Sequence, residues 1–446
     1  MSSRRVVITG LGPVTPIGIG VTDFWNALLE GKSGIRRIQT FDPARFDAQI
    51  GGEIDDLKIG NYVPKNYRKA GKIMARDIVL AVAGAHQAAL DAGLRTKCIV
   101  ERGDIGGERN VDSTRFGANI GAGLICADLD ELSEALHGAT EDGKFTMAKW
   151  GREGMENLTP LWLLKFLPNM LACHVTIVHD AQGPSNTITC GEASSHLAIG
   201  EAFRTITCGV ADVCVCGGAE SKGNPMALLR QCMAKRLSTN NDQPEQACRP
   251  FGQQRDGTAV SEGGGLVIIE ELEHARARGA RIYAELVGFG ASNDAYDPSQ
   301  PSKPHPEGRG MALAARKAIA DAGLEPAAID MVSAFAAGIV DRDAAEARAI
   351  QTVLGDRVAD VPVLSIKGGI GNNGAGSGAI DFIAAVLALH HGTIPPSLNT
   401  DPTDPELGLN VVTSGPTDAK LNAVLSTAYA LTDGQNASLV IKRYQQ

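Results

Sequence analysis

Two Ala-rich segments, more than two hundred residues apart, end in the same way. The first runs from Met74 to Leu90 and closes on Asp91-Ala-Gly93-Leu94; the second runs from Met311 to Ala320 and closes on Asp321-Ala-Gly323-Leu324. Ile78, Val82, Ala85 and Ala89 recur at helical spacing, which predicts an amphipathic helix. Gly93 and Gly323 suit the left-handed residue just past a helix end. After a polar stretch, each helix is followed by a strand-like run ending in small residues, Phe116 to Gly123 and Met331 to Gly338. Further on, each half offers a strand, a small-residue turn and another Ala-rich helix. Thr187-Ile-Thr-Cys-Gly-Glu192 leads into a helix through Ala202, and Val363 to Lys367 passes through Gly-Gly-Ile-Gly-Asn-Asn into a helix from about Ala379 to Leu389. Two explanations stand: a chance echo in an Ala- and Gly-rich chain, or a duplicated α/β unit whose turn-to-helix junctions meet at one site.

At 446 residues, the chain is long enough for about two core-sized halves. The charged stretch around residue 276 is the expected boundary, giving halves 1–275 and 276–446. The polar region of about 128–165 reads as an inserted cap. Lys and Arg total 42 against 51 Asp and Glu, a net charge of −9, which argues against nucleic acid or an acidic membrane as partner. With 43% hydrophobic and 21% charged residues the composition is that of an ordered globular protein. The 52 glycines beside only 4% aromatics predict tight turns and close helix–sheet packing. No uninterrupted apolar run of about 18 residues occurs, so no membrane span is expected. The nine cysteines show no paired spacing; Cys214 and Cys216 are expected as buried strand thiols. A reduced, cytoplasmic protein without disulfides is the expectation.

Two glycine motifs invite a nucleotide reading. Gly10-Leu-Gly12 has Thr15 where a third glycine belongs, with Pro13 and Pro16 obstructing an immediate helix, and fails. Gly369-Ile-Gly371-Asn-Asn-Gly374 fits the spacing, but Thr393-Ile-Pro-Pro follows where a further strand with an acidic residue is required, so a packing turn is expected instead. His174 and His179, His390 and His391, and His305 do not organise into a ligand pattern. No cofactor or metal is expected.

The stretch from Gly183 to Ala202, Gly-Pro-Ser-Asn-Thr-Ile-Thr-Cys-Gly-Glu-Ala-Ser-Ser-His-Leu-Ala-Ile-Gly-Glu-Ala, resembles the nucleophile elbow of the β-ketoacyl-acyl-carrier-protein synthases, especially the type II elongating enzymes. Phe41-Asp42-Pro43, Gly217-Gly-Ala-Glu220, Arg249-Pro-Phe251, Arg255-Asp-Gly257 and Ile282 to Gly290 resemble the family's other landmarks, in order and over essentially the whole chain. The resemblance implies an α/β thiolase-like fold, two duplicated halves in an αβαβα arrangement, usually dimeric. It implies a carrier-protein partner and condensation through a Cys nucleophile, two His and a Lys.

Carried over residue by residue, those positions are altered. The nucleophile position is Glu192, anchored by Gly183 upstream and Gly200 downstream. The first His position is Phe335, followed by Asp343 and Glu346. The second is Asn372, five residues after the retained Lys367. An upstream Asp-Ala-Tyr-His becomes Asp294-Ala-Tyr-Asp297, and the C-terminal loop reads Leu431-Thr-Asp-Gly-Gln-Asn436. A carboxylate at a helix N-terminus shares the stabilisation of a thiolate but is a poor acyl acceptor. Phe335 offers no donor, and Asn372 cannot cycle a proton. The foremost expectation is therefore a non-condensing partner subunit, similar to the chain-length factors, in a homodimer or paired with an active ketosynthase, with Glu192 capping its helix. The alternatives are an enzyme acting on carrier-protein thioesters through Glu192 and Asp297, and a decarboxylase. Cys190 is expected on the strand before the turn.

Overall fold

The computed structural model describes residues 4–294, 303–432 and 434–445; Asp297 lies outside them. Ten strands of one 14-stranded sheet form two matching sets of five. The first set is β1 (Val6–Thr15), β2 (Phe116–Ala122), β3 (Ser185–Ile188), β4 (Val213–Ser221) and β5 (Val260–Glu271). The second is β6 (Ala284–Asn293), β7 (Met331–Ser333), β8 (Pro362–Leu364), β9 (Ala423–Tyr429) and β10 (Gln435–Lys442). Across the sheet the order is β3-β2-β4-β5-β1, then β6-β10-β9-β7-β8. The second set thus repeats the first in reverse. Pairing directions repeat too: β2 is parallel to β3 and β4, and β7 is parallel to β8 and β9. β5 is antiparallel to β4 and β1, and β10 to β9 and β6. β1 and β6 join the sets antiparallel, Val6 opposite Leu286 and Ile8 opposite Ala284.

Strand alternation builds the layers. Cys214, Cys216, Val267 and Ile269 point into a central core, where they meet Val424, Leu439 and Ile441 of the second set. Their neighbours Val213, Val215, Leu266 and Ile268 point the other way, onto an outer core. This is the period-two consequence of a strand covered on both faces. Two helices fill the central layer, α2 (Ser194–Thr207) and α4 (Ser377–His391). Every residue of α4 from Ser377 to Leu389 is buried, as expected for a helix apolar on all sides. Two more cover the outer faces: α1 (Arg76–Asp91) on the first set and α3 (Arg309–Asp321) on the second. The result is the αβαβα layering of a thiolase-like fold.

The matching helix ends have a physical basis. Gly93 and Gly323 adopt φ of 62° and 65°. Just before them, the Asp91 carboxylate accepts the N–H of Leu11 at 2.9 Å, and Asp321 accepts that of Phe289 at 3.0 Å. Each helix is thereby tied to the first strand of its set. Gly10-Leu-Gly12 serves this packing. A Cβ at Gly10 would lie 2.2 Å from the Ala88 carbonyl oxygen, and one at Gly12 would lie 2.0 Å from that of Gly84. In the second set, Gly288 and Gly290 face the carbonyls of Ala318 and Ala314 at 2.1 and 2.2 Å.

Several elements differ from expectation in extent. Only Met331–Ser333 of the run to Gly338 is strand, because the chain then turns, with Ala336 at a φ of 40°. β3 stops at Ile188, so Cys190 belongs to the turn and not to the strand: its N–H bonds the Ser194 hydroxyl at 2.8 Å. Within 128–165, the helices Leu129–Gly138 and Met147–Arg152 flank a two-stranded ribbon that does not join the large sheet. Among the described residues no helix is long and apolar enough to cross a membrane.

The duplicated close approach predicts paired sensitivity. Gly12→Ala and Gly290→Ala should each lower stability by about 1–3 kcal/mol, through a methyl group pressed onto helix backbone. Urea unfolding of both variants checks this; a neutral result for either would show that its helix can retreat from the strand.

Candidate active site at the carboxyl ends of the parallel strands

In an open α/β sheet the loops leaving the carboxyl ends of parallel strands gather at one edge. The turn after β3 carries Glu192 and β4 runs out into Glu220-Ser-Lys222. From the other set, β7 leads to Phe335, β8 leads to Lys367 and Asn372, and β9 leads to Leu431.

Glu192 is the hub. Its Oε1 accepts Lys222 Nζ at 2.9 Å and Asn372 Nδ2 at 3.2 Å, and its Oε2 accepts the Leu431 backbone N–H at 3.0 Å. Burial alone would push this carboxyl up. The Lys222 charge, the Leu431 N–H and the hydrogen bonds from Lys222 and Asn372 outweigh burial and hold it at about 2. Lys222 is itself buried between two carboxylates; burial lowers its pKa, but Glu192 and Glu220 together raise it. Burial raises the Glu220 carboxyl, the Lys222 charge and the Ala375 N–H opposing it; that N–H donates to Glu220 Oε2 at 2.7 Å.

The expected helix-capping role of Glu192 does not hold. Ala193 stands at the N-cap of α2, and no side chain caps it. The carboxylate turns instead toward Lys222, whose full charge close at hand outcompetes a helix end carrying about half a unit.

The other predicted positions divide. Asn372 reaches Glu192; Lys367 does not. Lys367 is fully buried, its ammonium bound to both Asp381 oxygens and 4.7 Å from the centre of the Phe335 ring. Phe335 is fully buried and packs edge-on against Tyr429, ring centres 4.9 Å apart. Glu346 holds the turn at Phe335, accepting the Phe335 and Ala336 N–H groups at 2.9 and 2.8 Å. Asp343 accepts the N–H groups of Phe251 and Gly338.

A pocket of about 560 Å³ opens above the hub, lined by Glu192, Lys222 and Glu220 with Arg230, Arg236 and Thr432. Lys222 and Arg236 were not singled out from the sequence. The available signal for Lys222 was positional: a lysine one residue past a fully buried strand, parallel through β2 to the strand that delivers Glu192. Among the described residues no three or more His, Cys, Asp or Glu side chains are placed to hold a metal ion.

Family models describe both parts of the chain: the beta-ketoacyl synthase N-terminal domain matches residues 3–275, and the C-terminal domain matches residues 283–401. This chain belongs to the β-ketoacyl synthase family. It is 34% identical over 446 residues to a 3-oxoacyl-(acyl-carrier-protein) synthase 2 of Synechocystis sp., covering 100% of this chain and 99% of that one. It is equally 34% identical to a putative polyketide beta-ketoacyl synthase 1 of Streptomyces halstedii, covering 98% and 97%. Among solved structures it is similar to a chain of the ishigamide ketosynthase/chain length factor, with a TM-score of 0.83, 30% identity and full coverage of both chains. It is also similar to a type II polyketide ketosynthase solved in complex with its acyl-carrier protein, with a TM-score of 0.84, 28% identity and 99% and 100% coverage. The chain is a ketosynthase-type protein of fatty-acid or polyketide biosynthesis.

The ion pair predicts an acid-sensitive lock. The folded Glu192 pKa, about 2, lies below the ordinary 4.5, so its stabilisation is present above about pH 4.5 and fades as pH falls toward 2. Glu192→Gln should destabilise by about 2 kcal/mol. This falls short of the roughly 3–5 kcal/mol of a fully orphaned buried charge, because Glu220 remains beside Lys222. The Glu192→Gln/Lys222→Met double variant should lose less than the sum of the singles in urea unfolding at pH 7, and Glu192→Gln should flatten the decline below pH 4.5.

Proposed function

We propose that this chain is a non-condensing ketosynthase subunit, similar in role to a chain-length factor, that pairs with an active β-ketoacyl synthase serving an acyl-carrier protein. The observation that carries this reading is the ion pair at the elbow. Glu192 takes the nucleophile position, and it is matched by Lys222 and held ionised. Nucleophilic condensation needs a group that accepts an acyl chain and releases it again; a carboxylate locked to an ammonium, an amide and a backbone N–H is unsuited to that. Of the positions that would support charge during decarboxylation, Phe335 has no donor and Asn372 spends its amide on Glu192.

The same features weigh against the alternatives. A carboxyl held at about 2 is a weak general base near neutral pH, where efficient bases titrate close to the working pH. A decarboxylase of this family would need donors that Phe335 cannot supply. The ketosynthase/chain length factor and the carrier-protein complex among the similar structures support the proposed pairing, and a retained fold around an altered elbow is what such a subunit requires.

Three experiments test the reading. Incubation with acyl-carrier protein or acyl-CoA should leave no covalent acyl group, and intact-mass spectrometry showing stoichiometric acylation of the peptide holding Cys190 and Glu192 would refute it. Glu192→Cys alone should not restore condensation, since loss of one positioned acid–base group removes about 10²–10⁴ of rate; turnover near that of an active synthase would mean that Phe335 and Asn372 are not the His positions. Co-expression with a Cys-His-His synthase followed by native mass spectrometry should show a mixed dimer, and a strictly monomeric chain would end the partner-subunit reading.

A further inference from the structure

Leu431 is gripped on both sides by charge. Its N–H donates to Glu192 Oε2 at 3.0 Å, and its carbonyl oxygen accepts Arg236 at 2.9 Å and Arg342 at 3.1 Å. Arg236 follows the helix Pro225–Met233 in the first half, and Arg342 stands in the first turn of the helix Val340–Leu354 in the second. Leu431 is fully buried, and the two arginines are only 7% and 6% exposed. Among the described residues neither arginine bonds Glu192, whose cationic partner is Lys222.

The sheet ladder does not explain this placement. β9 ends at Tyr429, opposite Asn436 of β10, so Leu431 lies beyond it. The turn is closed at Ala430, whose N–H donates to the Gln435 carbonyl at 2.8 Å. Planar peptides leave φ and ψ as the only soft rotations at a residue. With Ala430 tied on one side, a carbonyl held from two directions leaves the intervening N–H little room to turn. A neutral donor would satisfy that oxygen. Burying guanidiniums there is unfavourable in itself, but their charge-assisted bonds are about twice as strong as neutral ones, which suits a group that must stay in place. The N–H so placed matters to the elbow. Burial raises the Glu192 carboxyl; after the Lys222 charge, the Leu431 N–H does most to hold it at about 2. The next residue, Thr432, borders both the 560 Å³ pocket above Glu192 and a narrow cavity of about 20 Å³ beside Arg342.

We propose that Arg236 and Arg342 are positioning residues of the elbow: by holding the Leu431 carbonyl they keep the Leu431 N–H on the Glu192 carboxylate and fix the wall between the two cavities. One arginine comes from each half, so the grip couples the helix Val340–Leu354 to a nucleophile position that it does not touch. Loss of either arginine frees Leu431 to turn. Glu192 then keeps Lys222 and Asn372 but loses its third donor.

The test combines native-state hydrogen exchange with stability against pH on the full chain. Arg236→Gln and Arg342→Gln should each speed exchange of the Leu431 segment about tenfold or more, the usual worth of a charge-assisted hydrogen bond, and leave β4 and α4 unchanged. Because the freed Glu192 carboxyl rises from about 2 toward its ordinary 4.5, each variant should also flatten the loss of stability below pH 4.5. In a Glu192→Gln background neither should flatten it further. A merely structural role would lower stability by the same amount at every pH. Arg236→Lys and Arg342→Lys keep the charge but lose the planar fork; they should speed exchange several-fold and serve if a glutamine variant fails to fold. Unchanged exchange at Leu431 overturns the proposal, as does an unaltered decline below pH 4.5. Flattening without faster exchange would mean that the guanidinium charge acts on Glu192 directly, and overturns it too. Neither carrier protein nor partner subunit enters these measurements, so their failure is distinct from failure of the partner-subunit reading.

Discussion

Glu192 carries a full negative charge where almost no water reaches it, and three separate segments are committed to answering it. Lys222 supplies the opposite charge from the end of β4, Asn372 an amide from the loop after β8, and Leu431 a backbone N–H from the turn after β9. Two of the three belong to the second five-stranded set, so this one carboxylate fastens the elbow of the first half to loops of the second. Its alternative, a protonated and neutral Glu192, would leave Lys222 beside Glu220 alone. The elbow is thus arranged around the Glu192–Lys222 ion pair.

The duplication was visible in the sequence because its cause is local. A helix ending in Asp-Ala-Gly needs the left-handed glycine, and its aspartate needs a strand N–H to bind; both requirements leave residues at fixed offsets, at Asp91 and Asp321 alike. The Gly10-Leu-Gly12 pair also showed in the sequence, but what it faces, the carbonyls of α1, depends on a contact some eighty residues away. The five-strand order is likewise set by long-range pairing that no local pattern encodes.

The candidate site was legible where a residue has a family position and hidden where it has only a neighbour. Glu192, Asn372, Phe335 and Lys367 are the positions that the resemblance implies by register along the chain. That Asn372 touches Glu192 while Lys367 instead binds Asp381 behind the Phe335 ring follows from side-chain packing alone. Lys222 and Arg236 lie in stretches whose pattern is unremarkable, and their importance comes from what stands opposite them in space. The helix cap expected of Glu192 failed for the same reason: the competing partner was thirty residues downstream.

The seam between the two halves bears on how the protein is made. Val6 pairs with Glu271 on one side and with Leu286 on the other, so β1 leaves the ribosome with both neighbours still unsynthesised for more than 250 residues. Contacts of such separation form slowly, and an apolar strand with two open edges is prone to pairing with other chains in the interval. Production of this fold therefore requires β1 to stay shielded until β5 and β6 emerge, a demand set by the order of synthesis and separate from the stability of the finished sheet.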